Sequence, residues 1–470
     1  MANSGKNRSF ELSRLVEDRL RSDLRPGAKV IAGLSGGVDS VTLVNILVTL
    51  RDSLRLSLRA IHVNHGLSPH ADDWGDFCAG LCSDLNIPLT IERADLSPWR
   101  SFGVEGAARE ARYKLLENDC ADALLLGHHR DDQAETLLVQ LLRGAGAPGL
   151  AAMPLVSSGR TKIIRPFLDV PRSEIERYAR TAGFSWIDDE SNTDLARPRN
   201  FLRHAVLPTL EAQYPGVTQR IARSASHIAE ASQLLRELGQ IDFDACASNG
   251  ALSISRLRDL GEVRARNLIR FWAEMRGFQA APTSATVELW RQLCDSRRDA
   301  KLEVRVGGAC YRRYRDALYL EGPIISVGTA ISRTWAGEAK MVLMELHGTL
   351  YFTHTLGAGL SAKKLKSGKI TVRTRVGGER IRPDSRRPSR SLKSIFQQFG
   401  IPGWKRQLLP LIFCDEDLVS IPGLTDDCAW GADVDEPSVL LTWKDDDTFS
   451  ELLLKDVERL ELDPDSTSLT

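Results

Sequence analysis

Three absences narrow the field before any motif is read. The chain has no net charge, because 62 Lys and Arg balance 62 Asp and Glu over 470 residues. That excludes a uniformly basic nucleic-acid coat, though not a local basic face. It has no uninterrupted apolar run of the roughly eighteen residues that a membrane helix needs, so no membrane span is expected. It has no CxxC pair, and its eight cysteines (Cys78, Cys82, Cys120, Cys246, Cys294, Cys310, Cys414 and Cys428) are too sparse for a disulfide scaffold. That usage suits a reducing cytosol, so a cytoplasmic protein is expected. The first residues, MANSGKNRSFELSRLVEDRLR, also lack the apolar core of a secretion signal. With 42% apolar and 26% charged residues, a mostly disordered chain is excluded as well.

At roughly 150 residues per domain, the length points to about three domains. Residues 29–34 read as a buried strand, 39–51 as a helix, and 56–63 as a second strand. A helix over about 70–85 would carry Cys78 and Cys82 on one face, and 87–93 is a further strand. A helix over 105–120, a strand over 121–129 and a helix over 131–143 follow. Strands alternating with helices at this rhythm predict an α/β fold, a Rossmann-like parallel sheet with helices on both faces, over 1–215. Helical periodicity over 217–240, 256–276 and 284–294, then a hairpin over 301–308 and 310–320, defines a mostly helical domain at 216–322. A small mixed α/β domain is expected at 325–450, with strands at 341–346 and 369–374 and an acidic tail at 451–470.

Charge is segregated within that last region. Residues 361–410 hold fourteen Lys or Arg against Glu379 and Asp384, whereas 431–470 hold twelve acidic residues against three basic ones. The basic residues recur across strand, loop and helix, which favours a polyanion contact over a simply solvated face.

The sharpest local feature is Ser35-Gly36-Gly37-Val38-Asp39-Ser40, set between a strand and a helix. Adjacent glycines let the backbone bring N–H groups close to an anion, and the helix adds its positive end. Ser35 and Ser40 add hydroxyl donors. Asp39 would be repelled by bare phosphate, so it makes sense as a Mg2+ ligand beside a triphosphate. The loop is neither a Walker A loop nor a dinucleotide turn. Three further polar clusters fall at strand ends or helix starts: His62-Val63-Asn64-His65, His128-His129 and Asp131 to Thr136. Asp132 and Glu135, three apart, share a helix face and would repel each other without a cation between them, metal or ammonium.

Taken together, these motifs resemble a known family. SGGVDS resembles the pyrophosphate loop of the N-type ATP pyrophosphatases. The wider set resembles the tRNA(Ile)-lysidine synthetase family through VNHGL (63–67), EGAAREARY (105–113), GHHRDDQAETLLVQLLRGAGAPGLAAM (127–153), IIRPFLDVPRSEI (163–175) and DDESNTDLARPRNFLR (188–203). The stretch 377–412 resembles that family's C-terminal tRNA-handling domain. The resemblance implies ATP and Mg2+ as cofactors, with L-lysine and a CAU-anticodon tRNA(Ile) as partners. It implies adenylation of C2 of the wobble cytidine, then displacement of AMP by lysine. On this resemblance Asp39 and Asp132 would hold metal. Ser35, Gly36, Gly37, Val38, Asp39 and Ser40 would hold ATP. Asp39, Arg109, Asp132, Glu135 and Arg203 would form the catalytic set. Arg199, Arg380, Arg382, Arg386, Arg387, Arg390 and Lys393 would contact RNA. Members often form homodimers, although no interface is legible in the letters.

Three rival classes share part of the pattern, one of them a non-catalytic tRNA-binding protein with a decayed ATP site, which the intact loop and the Asp132–Glu135 pair disfavour. Thiolating relatives commonly pair cysteines or carry an iron–sulfur cluster, which the missing CxxC disfavours. Small-molecule amidating synthetases would have no need of the basic 361–410 segment.

Overall fold

The computed structural model describes residues 3–64, 66, 68–94, 121–157, 161–188, 194–248, 250–279, 281–295, 302–322 and 331–445. The helix expected over 105–120, including Arg109, and the tail at 451–470 lie outside the described residues. The chain divides into two units, Met1–Leu234 and Leu235–Thr470.

The first unit is a layered α/β structure. Its elements are α1 (Asn3–Asp23), β1 (Lys29–Gly33), α2 (Val38–Leu50), β2 (Ser57–Asn64), α3 (Ala71–Asp84), β3 (Leu89–Arg93), β4 (Ala123–Leu125) and α4 (Arg130–Leu142). After these come β5 (Val156–Ser157), β6 (Lys162–Ile164), α5 (Arg172–Ala182) and α6 (Pro198–Phe201). A π-helical turn at Leu202–Val206 then leads into α7 (Leu207–Gln213) and α8 (Val217–Cys246). The sheet order is β3-β2-β1-β4-β6-β5, and every pairing is parallel except β5 with β6.

α2 is apolar almost all round: Val41, Leu43, Val44, Ile46 and Leu47 are at most 1% exposed. It packs against α1 and α5, and that burial on several sides is what such a sequence requires. α5 stops at Gly183, whose φ of 73° supplies the left-handed C-cap. β2 and β4 flank β1, so the connections leave β1 in opposite directions and open a crevice at its carboxyl end. The strand expected over 121–129 is regular only at Ala123–Leu125; beyond it the chain runs without regular structure to His129, the N-cap of α4.

The second unit holds two cores. Around the first lie β7 (Ala247–Ser248), β8 (Ala251–Ser253), α9 (Ile254–Leu260), α10 (Glu262–Met275), α11 (Thr283–Asp295), β9 (Glu303–Val306), β10 (Ala309–Tyr314) and β11 (Ala317–Glu321). The helix expected over 256–276 is broken at Gly261, with φ 77°. The strand expected over 310–320 is two strands. Arg315 adopts φ 55° and turns β10 back onto β11, which makes a sheet in the order β7-β8-β11-β10-β9. Gly239 lets α8 come close to α10, since a Cβ there would meet Phe271 Cγ at 2.7 Å.

The other core gathers β12 (Ser332–Thr334), β13 (Lys340–Leu343), β14 (Gly348–Leu356), β15 (Leu360–Ser361), α12 (Ala362–Leu365) and β16 (Ile370–Arg373). It continues with β17 (Arg380–Ile381), β18 (Arg390–Ser391), α13 (Leu392–Gln398), β19 (Leu411–Cys414), β20 (Asp417–Ile421), β21 (Thr425–Asp426) and β22 (Pro437–Asp445). The strand expected at 341–346 ends at Leu343 and passes into a 3-10 turn. Among the described residues no helix is long and apolar enough to cross a membrane.

Candidate active site

The glycine loop sits at the crevice left by the sheet's reversal. Gly36 takes φ 90°, and a side chain there would strike Ile187 Cδ1 at 2.7 Å. Gly37 is the N-cap of α2. The Ser40 hydroxyl accepts from the Ser35 backbone N–H at 3.1 Å and donates to the Gly37 carbonyl at 3.0 Å, pinning the loop's two ends. The wall opposite comes from the irregular segment after β4. Gly127 permits this close approach, since a Cβ would lie a tight 3.0 Å from the Asp39 carbonyl carbon and oxygen. Between these walls is a cavity of about 180 Å³ lined by Ser35, Asp39, Ser40, Gly127, His128 and Asp132, among others.

Behind Asp132 lies a cluster of four charges. Arg199 Nε donates to Glu135 Oε2 at 2.7 Å, and Arg203 Nε donates to Glu135 Oε1 at 2.6 Å. Arg203 Nη2 also reaches Glu135 Oε2 at 3.0 Å. Both guanidiniums then donate to Asp132 Oδ1 at 3.1 Å. Arg199 lies on α6 and Arg203 in the π-helical turn, four residues apart on one face, as Asp132 and Glu135 are on α4. The cations between the two carboxylates are therefore supplied by the chain itself. Glu135, with a side chain 1% exposed, is wholly engaged, whereas Asp132 reaches the cavity.

His129 joins this cluster to the loop. Its Nε2 lies 3.4 Å from Asp132 Oδ2 and 3.7 Å from Asp39 Oδ2, and its Nδ1 lies 3.6 Å from Asp131 Oδ2. The His129 backbone N–H donates to Asp132 Oδ2 at 3.0 Å, capping α4. Burial would depress the imidazole, but Asp132, Asp131 and Asp39 outweigh it and hold it above its ordinary value. Burial would likewise raise Asp132, but His129, Arg199, His128 and Arg203 keep it well below the carboxylate range. Asp39 goes the other way. Burial pushes it up more than His129, Arg172 and Arg203 pull it down, and its Oδ1 is buried with no hydrogen-bond partner.

That orphan oxygen is what a hard cation would satisfy. Mg2+ typically takes one or two carboxylates and fills its other positions from phosphates and water, so Asp39 fits it. Asp132 fits less well, because Oδ1 takes two guanidiniums and Oδ2 a backbone N–H. Among the described residues no cluster of three or more acidic, His or Cys groups could hold a metal.

The C-terminal basic residues divide into two kinds. Arg390 is tied to Ser394 at 2.8 Å and to Gln398, and Arg380 to Ser389, so both brace the β17–β18–α13 corner. Arg382, Arg386, Arg387 and Lys393 are exposed, although Arg387 lies 3.5 Å from Asp384. On α13, Leu392, Ile395 and Phe396 are buried while Lys393 faces solvent, the division its spacing predicts.

Gly127 and His129 carry more of this geometry than their sequence signals did. His129 stands out only as half of a histidine pair, and Gly127 only as a glycine ending a strand. The Arg–carboxylate contacts span 64 to 71 residues and have no local signature beyond their spacings.

Three family models match successive parts of the chain. The model of a PP-loop domain matches residues 7–210, that of the TilS substrate binding domain 252–319, and that of the TilS substrate C-terminal domain 370–443. The chain is 39% identical over 457 residues to the tRNA(Ile)-lysidine synthase of Nitrosomonas europaea, covering 94% of this chain and 98% of that protein. It is 37% identical to the enzyme of that name from Methylococcus capsulatus, covering 87% and 94%. With the one from Ralstonia nicotianae the identity is 38%, covering 85% and 89%. On this full-length similarity the chain belongs to the tRNA(Ile)-lysidine synthase family and is an ATP-dependent tRNA-modifying ligase.

Proposed function

We propose that this chain joins L-lysine to C2 of the wobble cytidine in a CAU-anticodon tRNA(Ile), in two steps at the cavity above Ser35 to Ser40. The observation that carries the residue assignments is the placement of Asp39 and Asp132 on one cavity, at the carboxyl end of the sheet, beside a glycine loop.

In the first step the C2 oxygen of cytidine attacks the α-phosphorus of ATP, and pyrophosphate leaves. The chemistry needs positioning and charge neutralisation rather than a covalent residue. The loop from Ser35 to Ser40 and the start of α2 would cradle the departing phosphates. Asp39 would hold Mg2+, which supplies neutralising charge on the phosphates. Arg109 belongs to the same proposal by resemblance alone.

In the second step the lysine ε-amine attacks C2, loses a proton, and AMP departs. A free lysine side chain is almost wholly protonated at neutral pH. Asp132 faces the cavity and is held ionised, so its charge would attract the incoming ammonium, but a carboxylate held so far below its usual range is too weak a base to be assigned the proton. Glu135 lies behind it, with both oxygens held by arginine, and supports Asp132 rather than meeting lysine. Arg199 and Arg203 accordingly hold the carboxylates. We assign phosphate-backbone contact to the exposed Arg382, Arg386, Arg387 and Lys393, which would place the tRNA without naming its bases. The seven described cysteines are all free, which fits a reducing cytoplasm.

Pyrophosphate release from ATP in the presence of the tRNA tests the first step alone. Asp39→Asn should lower it by roughly a hundredfold or more, since it removes the charge that would hold Mg2+. Wild-type release by a folded Asp39→Asn protein would remove Asp39 from the mechanism.

A further inference from the structure

Trp404 stands in an irregular segment between α13 and β19, in the basic module that the proposed function gives to tRNA. An indole in such a segment is a natural platform for an RNA base. Here the chain itself occupies the ring. Its Nε1 donates to Glu321 Oε1 at 2.7 Å. The Arg312 guanidinium lies over it, 5.4 Å from the ring centroid. Tyr319 and Tyr314 meet it edge-on, with centroids at 5.7 and 6.3 Å.

All four partners belong to the β10–β11 hairpin of the preceding core. Glu321 is buried and at the end of β11, where its second oxygen accepts from Arg312 at 3.1 Å. Lys405 Nζ lies 3.7 Å from the oxygen that Trp404 uses. Its neighbours repeat the pattern. Arg315, at the tip of the hairpin, donates to the Gln397 carbonyl at 2.8 Å, and Arg406 donates to the Tyr314 hydroxyl at 3.4 Å. The indole has both an apolar body and one N–H donor, and the socket has an aromatic wall and one buried acceptor for it. Arg312 keeps one Glu321 oxygen in either state, but opening the contact would strip the other oxygen of its indole donor and the indole of its acceptor, so closure is favoured.

We propose that this contact is an interdomain clasp, with Trp404 as a positioning residue that holds the basic module against the β10–β11 hairpin in the orientation that receives tRNA. The tRNA part of this inference rests on the function proposed above; the clasp itself does not. A module free to swing is competent for only part of the time, and its apparent affinity falls by that fraction.

The test compares Trp404→Ala, Trp404→Phe and Glu321→Gln in the full chain, each checked for a cooperative thermal transition. Small-angle X-ray scattering of the free protein and tRNA affinity are read together. Trp404→Ala should enlarge the radius of gyration without tRNA present and weaken tRNA binding about tenfold, leaving ATP binding unchanged. Glu321→Gln never touches RNA in this account, yet it should move both readouts in the same direction. Trp404→Phe keeps the aromatic wall contacts without the N–H and should fall between. An unchanged scattering profile in Trp404→Ala with weakened tRNA binding would mean that the ring stacks on RNA, and would overturn the clasp. An enlarged Trp404→Ala with wild-type tRNA affinity would overturn its positioning role. If the wild-type chain bound no tRNA, the proposed function would fail, while the scattering change would still establish the clasp.

Discussion

Replacing Arg203 by Leu is the most informative single perturbation of the charge cluster. Arg203 makes three hydrogen bonds to Asp132 and Glu135, and its side chain is 23% exposed. Without it, Glu135 keeps only Arg199, although its side chain is 1% exposed. Breaking a buried pair from one side costs about 3–5 kcal/mol, and the partial exposure of Arg203 favours about 3. For a unit the size of Met1–Leu234, each kcal/mol moves the melting temperature by about 2–4 °C. The transition of this unit should therefore fall by about 6–12 °C. The companion variant Arg203→Leu with Glu135→Leu removes both members and should recover at least half of that loss, since an apolar pair of similar volume is often neutral in such places. Thermal unfolding followed by circular dichroism reads both. A single variant melting within about 2 °C of the wild type would refute the reasoning, because Glu135 would then not depend on Arg203.

The remaining expectations concern pH and salt. His129 is held above its ordinary value of about 6.5, so its contribution to stability is full below that value and is lost as pH rises through the raised one. His129→Gln should therefore flatten the decline in unfolding free energy as pH rises above about 6.5 in urea titrations, and parallel curves would contradict the assignment. Reversing Arg386, Arg387 and Lys393 to Glu while sparing Arg390, which braces α13, should weaken tRNA binding. It should also lower the slope of log affinity against log salt by roughly 2–3, and an unchanged slope would exclude these three residues as phosphate contacts.

Much of the first unit was legible because its signals are local. The Gly36-Gly37 turn, the apolar α2 and the alternation of strands and helices each lie within a short window. The acidic pair on α4 was equally visible, and its need for a cation follows from spacing alone. What supplies that cation was not, because Arg199 and Arg203 come from a helical run 64 or more residues away. The resemblance gave Arg199 to RNA and Arg203 to the catalytic set, and in the fold both guanidiniums engage Asp132 and Glu135. In the second unit, the turn at Arg315 and Asp316 carries neither Gly nor Pro, so 310–320 read as one strand. The nine-residue pairing of β14 with β22 joins segments about ninety residues apart and leaves no local mark. The Trp404 socket likewise leaves no local mark, since its partners lie about ninety residues earlier, on another core.

The ligation itself is open to direct measurement. Purified protein would be incubated with ATP, Mg2+, L-lysine and a CAU-anticodon tRNA(Ile) transcript, and the wobble nucleoside examined by mass spectrometry. A lysine adduct should form on that cytidine only when both ATP and lysine are present. Folded protein that leaves the cytidine unmodified, or that modifies it without ATP, would contradict the proposed ligation.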